Sequence, residues 1–342
     1  MIKKILYLAL LLPLSMYSQN GGQTAFSFVN IETSPRTEAM GGSLITVVDN
    51  DLSLVNTTPS LLNSKMNNEL QFSFVDYFSD ISVMGFVYAK EIKSVGVFSF
   101  GVNAVSYGDF ELNDNFGNNT GTFTANDQVI TLGVAKSLNN NFSLGVNIKL
   151  LNSQYESYNA LALSSNVSLT YNKVEKAFTS TVLFKNIGRQ LQSYTNVKED
   201  IPFEIQMGVS KQLAHLPFRY AITLHHLNQY DISSPYKLGN ITDSKTNQLI
   251  VKKETVAKKM LRHVIIGGEL NPFKKSLFIR GGFNFQRRFD MSLVTRPATV
   301  GFSFGIGFKV SKFRFDYSRA AYHLTGTPNN FSIATNISTF GI

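Results

Sequence analysis

The sequence predicts an all-β protein: an antiparallel transmembrane β-barrel of about fourteen strands that closes around an N-terminal plug segment. Three observations support this fold class. From residue 68 onward apolar and polar residues alternate with a period of two, the alternating segments are about 9 to 12 residues long, and short connections alternate with long ones. Tilted strands of that length span a bilayer, and bacterial barrels have short turns at one end and longer loops at the other.

Residues 1–18 are predicted to be a cleaved secretory signal peptide. Lys3 and Lys4 precede the apolar stretch 5–14, and Ser18 is the expected last residue before cleavage. The apolar stretch is shorter than the roughly 18 residues that a membrane-spanning helix needs. An exported membrane protein without such helices must be a barrel, so we expect the mature chain in the bacterial outer membrane.

Residues 19–67 are predicted to form a compact plug, or hatch, inside the barrel. This segment combines small residues, paired glycines, prolines and a lone arginine, which suit irregular backbone in a confined space. The residues expected to define the plug are Ser34, Pro35, Arg36, Met40, Gly41, Gly42, Asn56 and Pro59.

Residues 68–342 are predicted to form the barrel itself. In the clearest strand, Val300–Val310, six apolar side chains occupy one face, and glycine, serine and lysine occupy the other. The predicted strand cores are 69–78, 81–90, 95–106, 127–137, 142–154, 160–171, 177–186, 202–213, 217–228, 262–271, 276–287, 298–310, 312–323 and 330–340. With a periplasmic N-terminus, the longer loops 107–125, 187–201 and 229–261 are expected on the cell exterior.

Alternation alone is equally compatible with a secreted β-sandwich, whose apolar faces point inward instead of toward lipid. The long strands, the alternation of turns and loops, and the signal peptide favour the barrel over the sandwich. A protein that fractionates only with outer membranes would exclude the sandwich.

Eight charged residues face the lumen on the predicted register. They could form a paired network that braces the barrel against the plug, since buried charges need partners, or they could line a selective pore. Both signs of charge occur and a barrel of this size is narrow, so a blocked or narrow lumen is favoured. The residues are Lys149, Glu204, Arg219, Glu269, Arg280, Lys309, Arg314 and Asp316.

The sequence indicates a non-enzymatic protein without cofactor, metal ion or nucleic-acid partner. It contains no cysteine, and it lacks the G-x-S-x-G, H-E-x-x-H and phosphate-loop motifs. His225 and His226 are adjacent, so on one strand their rings are expected to point to opposite faces and not to share a metal ion. The net charge of +9 accompanies no nucleic-acid-binding motif. Glycines 301, 305 and 307 are interpreted as room for the plug.

The predicted loop 229–261 is basic and is a candidate docking surface for an extracellular partner or an anionic glycan. The alternative is a solvated loop held near lipopolysaccharide phosphates. Its lysines are Lys237, Lys245, Lys252, Lys253, Lys258 and Lys259.

Several stretches of the sequence resemble the PorQ family of the type IX secretion system of Bacteroidetes. Their order and spacing agree with the family along the mature chain. PorQ-like barrels and the related PorV barrels are similar to the long-chain fatty-acid transporters, so the resemblance implies a fourteen-stranded barrel with an N-terminal hatch. The stretches are Gly21–Asn30, Arg36, Ala39–Gly42, Ile201–Ile205, Pro217–Tyr220 and Tyr317–His323.

The resemblance also implies a function. PorQ-like barrels anchor the extracellular PorZ protein beside the PorU and PorV pair, which cleaves cargo signals and attaches cargo to lipopolysaccharide. The main alternative is an outer-membrane transporter of hydrophobic small molecules such as long-chain fatty acids. A lateral opening or an apolar lumenal pocket would favour transport, whereas a filled lumen with an apolar or basic outer patch would favour the anchor. The segment 56–60 departs from the Asn-Pro-Ala turn of the broader family.

Overall fold

The computed structural model describes residues 25–195, 197–233, 241–242, 249–250, 254–273, 276–292, 299–323 and 326–341. The predicted signal peptide, 1–18, lies outside these residues. No helix in the described part of the chain is long and apolar enough to cross a bilayer.

Within the described residues, fourteen antiparallel strands close into one barrel, which confirms the predicted fold class. Strand β1 (Glu69–Asp76) pairs with both β2 (Ser82–Ile92) and β16 (Asn329–Asn336), and this pairing closes the wall. The barrel strands are β1 (Glu69–Asp76), β2 (Ser82–Ile92), β3 (Gly96–Asn113), β4 (Asn119–Ser137), β5 (Phe142–Tyr155), β6 (Tyr158–Lys173), β7 (Phe178–Gln192), β8 (Glu204–Gln212), β9 (Phe218–Leu224), β12 (Val264–Leu270), β13 (Leu277–Asn284), β14 (Phe302–Val310), β15 (Phe313–Ala320) and β16 (Asn329–Asn336).

The remaining elements are short. A separate strand pair, β10 (Ile241–Thr242) and β11 (Leu249–Ile250), lies between β9 and β12 in the chain. The α-helices are α1 (Pro35–Ala39), α2 (Val256–Arg262) and α3 (Phe285–Met291). The 3-10 helices are Ser27–Asn30, Leu52–Leu54, Pro59–Leu61, Ser64–Met66, Val174–Lys176 and Ile337–Phe340.

The two ends of the barrel differ in their connections. We call one end the turn end, because the connections there are short: 93–95, 138–141, 174–177, 213–217, 271–276 and 311–312. The opposite end, which we call the loop end, carries the connections 193–203, 225–263 and 285–301 with helices α2 and α3. The chain passes from the N-terminal segment into β1 at the turn end.

Some element boundaries differ from the predicted ones. The predicted loop 107–125 is largely a β-hairpin, because β3 and β4 continue their pairing through two register shifts to Asn113 and Asn119. Both faces of this extension are largely exposed, Phe110 and Leu112 included, so the alternation of buried and exposed residues ends while the backbone pairing continues. Strands β9 and β13 end earlier than predicted, at Leu224 and Asn284.

The outer face of the barrel is apolar. On β14, the side chain of Phe304 is 58% exposed, whereas its neighbours Ser303 and Gly305 point inward and are buried. Aromatic rings gather near the turn end, where Phe142 lies 5.0 Å from Tyr171 between ring centroids. An exposed apolar band flanked by aromatic residues is the surface that a barrel presents to lipid.

The N-terminal segment 25–67 lies inside the barrel, and we call it the plug. Helix α1 begins where Ser34 accepts a hydrogen bond from the backbone N–H of Thr37 at 3.1 Å, and Pro35 occupies its first position. Further along the plug, Leu52 and Met66 are fully buried against inward-facing wall residues. The plug is therefore a packed part of the barrel core.

The wall carries glycines where the plug backbone comes closest. A Cβ atom on Gly145 would lie 2.2 Å from the carbonyl carbon of Pro59, and one on Gly282 would lie 2.2 Å from the backbone nitrogen of Gly41. Gly305 has the same role next to Ala39, at 2.7 Å. These distances are well inside van der Waals contact, so the wall accommodates the plug only because these positions have no side chain.

Candidate functional site

Arg36 of the plug is the centre of a buried ion-pair network. Its Nε and Nη2 donate to the two carboxylate oxygens of Glu269 on β12, at 2.8 and 2.7 Å. Its Nη1 donates to Asp49 at 2.8 Å and to Asp51 at 3.1 Å. Burial alone would lower the pKa of Arg36, but the three carboxylates raise it well above its ordinary value. The bidentate pair with Glu269 fixes both the position and the orientation of the Arg36 guanidinium group.

The network continues along the wall and returns to the plug. Arg280 donates to Glu269 at 2.8 Å and to Asp316 at 2.5 Å. Arg314 donates to Asp316 at 2.9 Å and to Asp51 of the plug at 2.7 Å. Burial would raise the pKa of Asp51, but Arg314 and Arg36 hold it below its usual range. The plug is thus tied to β12 and β15 by charge-assisted hydrogen bonds, and Arg280 of β13 links the two wall carboxylates.

The structure brings five of the eight predicted lumen charges into this network. They are Arg219, Glu269, Arg280, Arg314 and Asp316, of which Arg219 lies 3.6 Å from Glu269 between Nη1 and Oε1.

The other three predicted lumen charges lie outside the network. Lys149 is buried, and its Nζ donates to Asn186 at 3.3 Å. Lys309 lies on the inward-facing side of β14, in phase with Gly305 as the register predicts, but it is close to the turn end and exposed, because the packed part of the lumen ends at Gly307. Glu204 belongs to a different cluster, described below.

An asparagine ladder on β5, β6 and β7 holds the plug from the other side. Asn147 donates to the carbonyl oxygen of Asn56 and Asn166 donates to that of Thr57, both at 2.8 Å. The ladder is continuous, because the backbone of Asn166 donates to Asn147 and the backbone of Asn186 donates to Asn166. The ladder was not predicted from the sequence, although three inward asparagines on successive strands indicate such a polar row.

The predicted plug positions all lie in the described plug. Met40 is buried against Gly267, and Gly41 and Gly42 have positive φ angles of 101° and 91° that favour glycine. These positions are Ser34, Pro35, Arg36, Met40, Gly41, Gly42, Asn56 and Pro59.

An apolar compartment occupies the loop-end half of the lumen. Phe26 and Phe28, at the start of the described plug, fill it and are 0% and 5% exposed. Beside Phe28 only about 30 Å³ of cavity remains, which is room for about one water molecule. The residues that wall the compartment are Val75, Val83, Val105, Val129, Leu151, Ala160, Ala162 and Ile201.

A second, polar cavity of about 290 Å³ lies next to this compartment at the loop end. On one side Arg287 donates to Glu38 of the plug at 2.6 Å and to the Tyr322 hydroxyl at 2.7 Å. On the other side the cavity is bounded by Lys185, Glu204, Gln206, His225 and His226.

His225 and His226 meet at this cavity. Their Nδ1 atoms lie 2.6 Å apart, and those atoms are 3.9 and 3.3 Å from Oε1 of Glu204. The prediction that the two rings point to opposite faces is wrong because it assumed a strand. Strand β9 ends at Leu224, and His226 has a positive φ of 53°, which turns its side chain toward that of His225.

The basic loop is only partly described. Lys258 and Lys259 lie on α2, where Lys258 pairs with Glu254 at 3.0 Å and Lys259 pairs with Asp231. The other predicted docking lysines, Lys237, Lys245, Lys252 and Lys253, lie outside the described residues. A docking role for this loop stays a prediction.

Helix α2 is anchored by Arg262, which is fully buried. Arg262 donates to both carboxylate oxygens of Glu254, at 3.0 and 2.8 Å, and also binds Asp290 on α3. The hydrogen bond from Arg262 is the main reason that the pKa of Glu254 falls to about 2, with burial opposing and Lys258 assisting.

Comparison with known proteins identifies the fold. No protein-family profile and no curated protein sequence matches the chain. Among solved structures, the CymD monoaromatic hydrocarbon channel superimposes with a TM-score of 0.50 at 12% identity, over 92% of this chain and 99% of that one. A TodX monoaromatic hydrocarbon channel mutant gives 0.51 at 11%, over 90% and 98%. A Pseudomonas aeruginosa FadL homologue gives 0.50 at 11%, over 89% and 98%. At these identities the likeness shows the shared barrel fold.

Proposed function

We propose that this protein is a non-enzymatic outer-membrane channel for hydrophobic small molecules. The observation that carries the proposal is the apolar compartment inside the lumen, which Phe26 and Phe28 occupy. A Phe side chain is a benzyl group, so it has the size and chemistry of toluene. A space that buries two such rings has the shape and polarity to hold a monoaromatic hydrocarbon or a segment of a fatty-acyl chain.

The compartment can be vacated without breaking the plug's main anchor. Phe26 and Phe28 precede helix α1, and Arg36 of that helix makes the ion pairs with the wall. Burying an aromatic side chain contributes about 1.5–3 kcal/mol, and a bound hydrophobic molecule would recover much of that by replacing the ring. The exchange would displace the arm 25–31 and leave the ion pairs of Arg36 in place.

The structural neighbours support the same proposal. Two of them are described as monoaromatic hydrocarbon channels and one as a FadL homologue. Their shared architecture is a barrel of the kind seen here, so a hydrophobic cargo for this chain agrees with both its fold and its lumen.

The proposal is tested by uptake of radiolabelled toluene and a labelled long-chain fatty acid in a deletion strain complemented with variants. Phe28→Ala removes a ring that occupies the compartment and is therefore expected to raise uptake at least severalfold. Phe72→Ala is the matched control, because Phe72 is on the outer face and 50% exposed. Phe28→Ala costs about 3–5 kcal/mol as a buried truncation, so folding is verified by heat-modifiable mobility on gels. Equal uptake in the deletion and complemented strains would refute the channel.

A second candidate function is the membrane anchor of a type IX secretion attachment complex. Two observations favour it: the plug is tied to the wall by buried ion pairs, and the β3–β4 hairpin projects from the loop end with Phe116 90% exposed. An exposed apolar tip is a typical protein contact. The partners would be a PorZ-like extracellular protein and the PorU and PorV pair, next to lipid and lipopolysaccharide.

The anchor is tested by affinity purification from gently solubilised outer membranes. Stoichiometric recovery of a large extracellular protein with a second barrel and a protease would support it, and recovery of the barrel alone would count against it. Neutralising Lys252, Lys253, Lys258 and Lys259 together is expected to release the partner if the basic loop is the docking surface. Retention of the partner would exclude that loop.

A further inference from the structure

The loop end places three potential metal ligands around one point. Strands β8 and β9 are antiparallel neighbours, with Met207 opposite Leu224. Residues just before Met207 and just after Leu224 therefore meet at the rim. Glu204, the first residue of β8, faces His225 and His226, which follow the last residue of β9.

We propose that Glu204, His225 and His226 bind a divalent transition-metal ion of the Zn²⁺ class. Their ligand atoms are Nδ1 of each histidine and Oε1 of Glu204, with separations of 2.6, 3.9 and 3.3 Å. In a tetrahedral zinc site with bonds of 2.0–2.1 Å, the distance between two ligand atoms is about 3.3 Å. The mean of the three separations matches that value, so an ion fits after ring shifts of under about 1 Å.

The protein alone leaves the histidines incompletely bonded. The close contact between the two Nδ1 atoms can hold only one proton, so only one of the rings acts as donor there. The Nε2 atom of His225 is buried and has no hydrogen-bond partner among the described residues. A divalent ion between the two Nδ1 atoms would replace their shared proton and bind both rings, whereas Nε2 of His225 would keep no partner among the described residues.

The surrounding charges leave one oxygen of Glu204 for the ion. Lys185 lies 3.6 Å from Oε2 of Glu204, so its positive charge is directed at the other oxygen. Oε1 accepts from Gln206 at 2.7 Å and from the backbone of His226 at 3.3 Å, and ion binding would displace the Gln206 amide. The competing state is therefore an ion-pair cluster of Glu204 with Lys185 and the histidines, without metal.

The donor set indicates the class of ion. Two imidazoles and one carboxylate suit Zn²⁺, Co²⁺ or Ni²⁺ better than Mg²⁺ or Ca²⁺, which prefer oxygen ligands. Three protein ligands leave a fourth position, and all three residues line the cavity of about 290 Å³. The fourth ligand would be a solvent molecule or a cargo group in that cavity.

The test is Co²⁺ titration of the full chain, purified in detergent and stripped with EDTA. One ion per chain with the visible absorption of four-coordinate Co²⁺, displaced by Zn²⁺, is expected. His226→Asn, which tolerates the positive φ, and Glu204→Gln should each weaken binding by about 100-fold or more, whereas His215→Asn in the exposed turn 213–217 should not.

Two outcomes would overturn the site. The first is no stoichiometric Co²⁺ binding by the wild-type chain, which would leave the ion-pair cluster as the correct description. The second is binding that His226→Asn and Glu204→Gln leave unchanged, which would place the ion elsewhere. Heat-modifiable mobility of each variant shows that a lost signal is not lost folding. An anomalous difference peak between the three side chains at the zinc edge is the independent confirmation.

Discussion

The close approach of plug and wall predicts a large difference between two adjacent glycines on β13. A Cβ atom on Gly282 would lie 2.2 Å from the backbone nitrogen of Gly41 and 2.3 Å from the carbonyl carbon of Met40. Both are more than about 1 Å inside van der Waals contact, and both belong to backbone that cannot rotate away. On Gly281, which points outward, the nearest atom would be the Ser303 carbonyl oxygen at 3.9 Å.

Gly282→Ala is therefore expected to cost about 1–3 kcal/mol in the free energy of unfolding, the usual range for overpacking. Gly281→Ala is expected to change it by less than about 1 kcal/mol, with alanine slightly favoured in the middle of a strand. Urea unfolding in phospholipid vesicles measures both, and limited proteolysis of the plug shows whether the added methyl group loosens it. If the two variants have equal stability and equal plug protection, the glycines are not the contact surface of the plug and the packing argument fails.

Other perturbations act on the same lumen and on helix α2. Arg36→Ala leaves the buried carboxylates of Asp51 and Glu269, and the half-buried Asp49, without their shared partner and should cost about 3–5 kcal/mol in urea unfolding; a loss under about 1 kcal/mol would contradict the network. Asn166→Ala removes the hydrogen bond to Thr57 and should cost about 1–3 kcal/mol by the same assay, since a buried carbonyl loses its donor. Because the pKa of Glu254 is depressed to about 2, its contribution to α2 is present above its ordinary value of 4.5 and is lost as pH falls toward 2. The amide-exchange protection factors in α2, corrected for the intrinsic pH dependence of exchange, should fall across that window, and Glu254→Gln should lower them already at neutral pH; protection factors insensitive to both would exclude the Arg262 anchor.

Much of the fold could be predicted because one physical rule dominates it. A strand with lipid on one face and a packed lumen on the other must alternate, and Val300–Val310 shows this pattern so clearly that β14 was located within a few residues. This requirement for alternation no longer applies beyond the membrane boundary. Beyond it, β3 and β4 continue pairing with largely exposed faces, so the sequence predicts a loop where the structure has a hairpin.

The site was less predictable because it depends on non-local contacts. The inward charges could be listed from the register, but the register does not say that Arg36 lies against Glu269, 233 residues away. The apolar compartment depends on where Phe26 enters the lumen, and the histidine cluster depends on the end of β9 and on one positive φ. A period of two carries no information on any of these.

The central claim is that the lumen offers a hydrophobic compartment to a small molecule, and photo-crosslinking tests it most directly. A toluene-like diazirine is activated in the purified, detergent-solubilised protein with and without excess toluene, and labelled residues are mapped by mass spectrometry. We expect labelling of inward residues such as Val83, Val105 and Leu151, and excess toluene should abolish it. Labelling of the outer-face residue Phe304 should persist in the presence of toluene. Label confined to the outer face, unaffected by toluene, would contradict the claim.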